Sequence, residues 1–216
     1  MYIENSIDVI IPSFRLDEAI LLPIIQLKQP EKFSIHYYIV ADNPDLKIPL
    51  SLRSLADQGS INLIVNQQNL GFSATRNKGI RLGKSKWLLL LDDDIVPSAD
   101  LLLAYAHAIN ESPEAIGLAG VTKFPLPFNA ATRAMDINGT TGHFSAATSE
   151  KELMWVPTAN VMLNRYKTDN SLFNDNLKKG GEDIEFLVRN CLLYKQKYIA
   201  VPDAIVTHPW WDSGRM

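Results

Sequence analysis

The chain has 216 residues, 46 % of them hydrophobic and 21 % charged, an ordinary globular composition with enough length to bury a core without staples. Its net charge of −3 leaves no basic stripe to neutralise phosphates, which argues against a nucleic-acid binder. One cysteine, Cys191, excludes an internal disulfide and favours a reducing, cytoplasmic setting.

From Met1 to Asp8 no basic stretch precedes an apolar one, so no signal peptide is expected. Ile7–Ile11 is a short apolar run ending at Pro12 and predicts a buried strand. Asp17–Lys28 has helical spacing with Asp17 near its start. Ile35–Ala41 predicts a second strand, closed by Asp42-Asn43-Pro44. A helix over Pro49–Ala56 and a strand over Ile61–Asn66 follow.

Asn69-Leu70-Gly71-Phe72-Ser73 reads as a turn into a helix at Ala74–Leu82. Trp87–Leu91 is the most apolar run. It predicts a fourth strand and is far short of the roughly 20 residues a transmembrane helix needs, so any membrane contact is expected to be peripheral. A helix over Ala99–Asn110 and a strand over Ile116–Thr122 complete a β-α-β-α alternation. That alternation predicts an α/β fold: a doubly wound, mostly parallel sheet flanked by helices.

The second half is less regular. Phe124–Ser149 carries Pro, Gly, Asn and Thr and reads as irregular or as short strands. Trp155–Asn164 predicts a strand, Gly180-Gly181 opens a helix to about Tyr194, and Tyr198–Val206 predicts a last strand before a short aromatic tail. Nothing divides the chain, so a single domain over residues 1–216 is expected.

Four groups of residues carry chemistry. Leu91-Asp92-Asp93-Asp94 sets three carboxylates at the end of a buried strand, where their repulsion needs a cation, donors or water to offset it. Ligands in open α/β sheets sit at such strand ends. Oxygen ligands there suit Mn2+ or Mg2+, often shared with phosphates. Alternation along extended chain lets Asp92 and Asp94 face one site. Arg76, in Asn69–Ile80, is a candidate phosphate clamp.

Glu182 and Asp183 fall at the start of the Gly180–Tyr194 helix, where the dipole favours ionised acids; one of them is a candidate general base. His208 follows the last strand and is a candidate metal ligand. Trp210 and Trp211 offer faces for a sugar ring or cover for apolar surface.

Taken in order, these pieces resemble the family 2 glycosyltransferases, which have the GT-A fold. Ile10-Ile11-Pro12-Ser13-Phe14 is similar to the family's opening strand and Asp42 to its second-strand aspartate. Asn69-Leu70-Gly71 with Ala74-Thr75-Arg76-Asn77-Lys78-Gly79 resembles its Asn-x-Gly…Ala-Arg-Asn-x-Gly stretch. Leu91-Asp92-Asp93-Asp94 matches its Asp-x-Asp motif, and Gly181-Glu182-Asp183 its Glu-Asp motif.

The resemblance implies a nucleotide-binding half over about 1–122 and an acceptor-binding half over about 123–216. Pro12, Ser13, Phe14, Asp42, Arg76, Asp92 and Asp93 would contact the nucleotide. Asp94, His208 and Asp92 would hold Mn2+ or Mg2+. Asp183 would be the base of an inverting transfer, with Glu182 beside it, and Asn160, Trp210 and Trp211 would lie near the donor or acceptor sugar.

The implied donor is a nucleoside-diphosphate sugar, a UDP-sugar first. The implied acceptor is a carbohydrate or lipid-linked carbohydrate. Two features depart from the pattern: Asn43-Pro44 follows Asp42, and Arg15 stands where an asparagine is usual. Rival readings are a nucleotidyltransferase on a related fold, against which the glycine-free Pro12-Ser13-Phe14-Arg15 speaks, and a binding module without turnover.

Overall fold

The computed structural model describes residues 2–178 and 180–211. The apolar run after Met1 forms β1 (Ile3–Ser13), followed by α1 (Glu18–Ile25), β2 (Ser34–Ala41), α2 (Leu50–Asp57), β3 (Asn62–Val65) and α3 (Phe72–Leu82). Next come β4 (Ser85–Leu91), β5 (Val96–Pro97), α4 (Leu101–Glu111) and β6 (Gly117–Lys123). The second half holds α5 (Ala130–Ile137), β7 (Glu152–Leu153), β8 (Asn160–Asn164), α6 (Glu182–Tyr194) and β9 (Tyr198–Thr207), with 3-10 turns at Gly142–Thr148 and Arg165–Lys167.

All nine strands join one sheet in the order β3-β2-β1-β4-β8-β6-β9-β5, with β7 also on β9. The β3-β2-β1-β4 half is wholly parallel. β8 runs antiparallel between β4 and β6, and β9 is parallel to β6. Two reversals cancel, so β1, β2, β3, β4, β6 and β9 all point their carboxyl ends to one edge. The chain leaves β1 toward β2 and β3 and returns on its other side as β4, which makes the β1/β4 boundary a topological switch point.

Helices cover both faces because the strands alternate their apolar side chains. Ile7, Val9 and Ile11 of β1 pack with Trp87, Leu89 and Leu91 of β4 against α1, α2 and α4. Ile10, Leu88 and Leu90 face the other way, toward Ile80 of α3 and Phe186, Leu187 and Cys191 of α6. Gly79 lets α3 lie close on the sheet: a Cβ there would stand 2.6 Å from Ile10 Cγ2 and 3.3 Å from Val40 Cγ2.

The predicted elements need three corrections. The first helix stops at Ile25 rather than Lys28; Pro23 inside it has no N–H to donate, and a helix so interrupted closes early. The Phe124–Ser149 stretch is not strand-like but holds α5, opened by a reciprocal cap between Asn129 and Thr132, and a 3-10 turn. Only Asn160–Asn164 of the predicted Trp155–Asn164 strand pairs with the sheet, since Pro157 breaks the ladder before it. No helix among the described residues is long and apolar enough to cross a membrane.

Candidate active site

The shared carboxyl edge of the sheet opens into a cleft of about 680 Å³. Four of the strands that end there deliver a polar side chain: Ser13 at the end of β1, Asp42 after β2, Asp92 after β4 and His208 after β9. His208 is fixed by its own backbone N–H, which donates to Lys123 O at 2.8 Å where β6 ends.

At one side of the cleft lie Pro12, Ser13, Phe14 and Asp42. Asp42 is buried and accepts from Asn66 Nδ2, Leu70 N and Gly71 N, each at 2.8 Å. Three donors on a carboxylate leave one lone-pair site, on Oδ2. Gly71 has φ 81°, a left-handed conformation that glycine adopts without strain, and this turn brings both loop N–H groups onto Asp42.

The three aspartates have separate partners. Asp93 accepts from Ser13 Oγ at 2.7 Å and from Phe14 N at 3.3 Å, and it pairs with Arg15 at 3.1 Å. It therefore ties the β1 end to the β4 end. Asp92 pairs with Arg76 Nη2 at 2.8 Å, while Arg76 Nη1 reaches Glu182 at 3.1 Å. Arg76 is thus a buried bridge between the Asp-x-Asp and Glu-Asp segments, and it lines the cleft. Asp94 faces His208 Nε2 at 3.2 Å and Arg15 at 3.5 Å.

Ligand atoms of Asp92, Asp94 and His208 all lie within 4.8 Å of one another. The His208 Nδ1 stands 2.6 Å from Pro209 O, so Nδ1 carries the donated proton and Nε2 is left to face Asp94. A neutral ring in that tautomer points a lone pair at a carboxylate, an arrangement that calls for a proton or a metal ion between them. Two carboxylates and an imidazole are a donor set for a divalent metal ion. The residues present fit a divalent ion.

Burial and charge move these groups in opposite senses. Burial works against charge on His208, yet the Asp94 carboxylate outweighs it and raises the imidazole pKa. Burial would raise Asp94, but His208 and Arg15 hold it below the usual carboxylate range. For Asp93 burial prevails over Ser13 and Arg15, and its pKa rises. Burial likewise raises Glu182 against the pull of Arg76, and Asp183 against Ile184 N and Arg76.

Glu182 is the first residue of α6 and lines the cleft. Asp183 stands beside it, half-buried, with Oδ1 accepting from Ile184 N at 2.8 Å. Gly181, at φ 85°, turns the chain into this helix.

Two expected sugar contacts are placed elsewhere. Asn160 is buried under the sheet, its amide spent on Val121 O and Ala204 O and its oxygen on Tyr105 Oη at 2.8 Å. Trp210 is buried and donates Nε1–H to Pro125 O at 2.8 Å. Trp211 does line the cleft, with its ring 5.3 Å from Phe124, 5.6 Å from Phe144 and 5.4 Å from His208.

The sequence reading missed Phe124 and Phe144, which pack against Trp211 and His208 without lining the cleft themselves. It also missed Asp175, Leu177 and Lys178, a loop lining the cleft and fastened by Asn77, whose side chain bonds Phe173 and Asp175. The only sequence signal for that loop was Asn77 itself, inside a motif read for its arginine.

Known proteins match this geometry. The structure superposes on S. aureus TarS 1-349 in complex with UDP at a TM-score of 0.72 and 14 % identity, covering 95 % of this chain and 60 % of that one. A mannosyltransferase, PcManGT from Pyrobaculum calidifontis in complex with GDP-Man and Mn2+, gives 0.73 and 16 %, covering 97 % and 58 %. GalNAc-T7 with UDP, GalNAc and Mn2+ gives 0.71 and 14 %, covering 97 % and 44 %.

At such identities the likeness shows the fold, the GT-A arrangement implied by the motifs. The chain spans 60 % or less of each of these proteins. No curated protein matches it in sequence. Residues 8–199 match the family model described as glycosyl transferase family 2, and the chain belongs to that family.

Proposed function

We propose that this protein is a metal-dependent, inverting glycosyltransferase that moves a sugar from a nucleoside-diphosphate donor to a hydroxyl acceptor. The observation that carries the reading is the meeting of Asp92, Asp94 and His208 in one cleft, where Arg76 joins Asp92 to Glu182, the neighbour of Asp183. Support comes from the neighbours that hold UDP or GDP-Man with Mn2+. The donor is read as a UDP-sugar first, and the acceptor as a carbohydrate or lipid-linked carbohydrate.

Pro12, Ser13 and Phe14 border the nucleobase pocket, with the exposed Phe14 ring at its mouth. Asp42 keeps one lone-pair site for a base N–H. Asp92, Asp94 and His208 would hold the divalent ion, which would supply positive charge to offset that of the leaving diphosphate. Asp183 takes the proton of the acceptor hydroxyl as that oxygen bonds to the anomeric carbon and the carbon–phosphate oxygen bond breaks.

Burial raises the proton affinity of Asp183, which suits a base. The Arg76 bridge keeps α6 in register with Asp92. Trp211, packed against Phe124 and Phe144, offers the face on which a sugar ring stacks. The 1–122 half then serves the nucleotide and the 123–216 half the acceptor. The single thiol supports a cytoplasmic setting, and the exposed Leu126, Phe128 and Ile137 support peripheral membrane contact.

Two variants test the roles separately. Asp94→Ala should abolish the Mn2+-dependent rise in melting temperature given by a nucleotide sugar. Asp183→Asn should keep that rise and lose transfer by about 10²-fold or more. Wild-type turnover in Asp183→Asn would remove it as the base, and a donor-induced rise independent of Mn2+ would remove the metal from the reading.

A further inference from the structure

Arg15 is a cation beside the proposed ion site that no ligand role explains. Its Nη2 lies 3.1 Å from Asp93 Oδ1 and 3.5 Å from Asp94 Oδ2. The other oxygen of Asp94, Oδ1, faces His208 Nε2 at 3.2 Å. One carboxylate is therefore shared between the ion cluster and a guanidinium. Acids crowd this edge of the cleft, and Arg15 and Arg76 are the guanidinium groups paired with them. Arg76 is buried and pinned by two carboxylates, whereas the Arg15 side chain is 37 % exposed.

We propose that Arg15 is an internal counter-cation that sets the ion affinity of the Asp92–Asp94–His208 cluster. It holds Asp94 in ligating position when no ion is bound, and its charge opposes the ion that enters. The inference rests on reading that cluster as the ion site. A fixed positive group within a few ångströms of a divalent ion weakens binding by about tenfold when solvent screens it as water does. Loss of a merely structural contact would instead weaken ion binding or leave it unchanged, so the direction of the effect separates the two.

The test is a titration of Mn2+ alone into wild type, R15K, R15Q and R15M, with free ion read by electron paramagnetic resonance and the fold checked by circular dichroism and melting. The neutral variants R15Q and R15M should bind Mn2+ about tenfold more tightly at low salt, with the gap narrowing toward about 1 M salt as screening shortens. R15K should stay near wild type. Neutral variants that fold and bind no more tightly than wild type overturn the proposal while the ion site stands. Absence of Mn2+ binding in wild type removes the ion site and this inference together.

Discussion

Single residues at the cleft hold one another more than they face solvent. The Ser13 hydroxyl donates to Asp93 at 2.7 Å and accepts from Leu16 N at 3.0 Å. Leu16 is a non-glycine residue at φ 49°, a conformation that persists only where its surroundings over-determine it. Ser13→Ala removes both bonds and leaves a partly buried carboxylate short of a donor. It should cost about 1–3 kcal/mol of stability, read from urea unfolding, and should lower Mn2+-dependent donor binding as well.

Much of this was legible in the sequence and some was not. Three aspartates after an apolar strand announce themselves, because their repulsion demands an explanation. The partner of an arginine does not: Arg76 meets Asp92 from 16 residues away and Glu182 from 106, and no local pattern encodes such a bridge. Asn160 misled for a related reason. Its place in a strand beside the site was readable, but the direction of its amide, into Val121 O and Ala204 O, was not.

Among the elements, α3 depends on the missing side chain of Gly79. An alanine there gains about 1 kcal/mol of helix propensity but drives a methyl to 2.6 Å from Ile10 Cγ2, a clash with a stiff, branched side chain buried in the core. Overpacking of this kind costs about 1–3 kcal/mol, so Gly79→Ala should destabilise. Combined with Ile10→Ala it should cost less than the sum of the two single changes, a coupling that a double-mutant cycle measures. Strongly periodic elements such as α6 were readable from sequence. α5 was hidden because Pro125, Pro127 and Gly139 crowd its ends and its eight residues carry Ala and Thr rather than an apolar stripe.

At the scale of the whole molecule, stability carries a signature at high pH. Burial of Cys191 against α6's core face pushes its thiol up to about 11, whereas an unfolded thiol loses its proton near about 8.5. The folded state binds that proton more tightly, so its contribution is complete below the unfolded value and is lost as pH rises toward the folded one. Urea midpoints should fall more steeply for wild type than for Cys191→Ala between about pH 8 and pH 10. Parallel slopes for the two proteins would refute the assignment.

The reversed strand β8 has a consequence for how the chain is made. β6 (Gly117–Lys123) pairs with β8 and β9, and the free side of β4 pairs with β8. As synthesis runs from the N-terminus, β3, β2, β1 and β4 are complete while the strand that joins β4 to β6 has yet to leave the ribosome. The nascent N-terminal half therefore waits with β4 as an open edge, a template for pairing with other chains. The late arrival of residues 160–164 closes that edge, and the end of β9 that leads to His208 is aligned only after it.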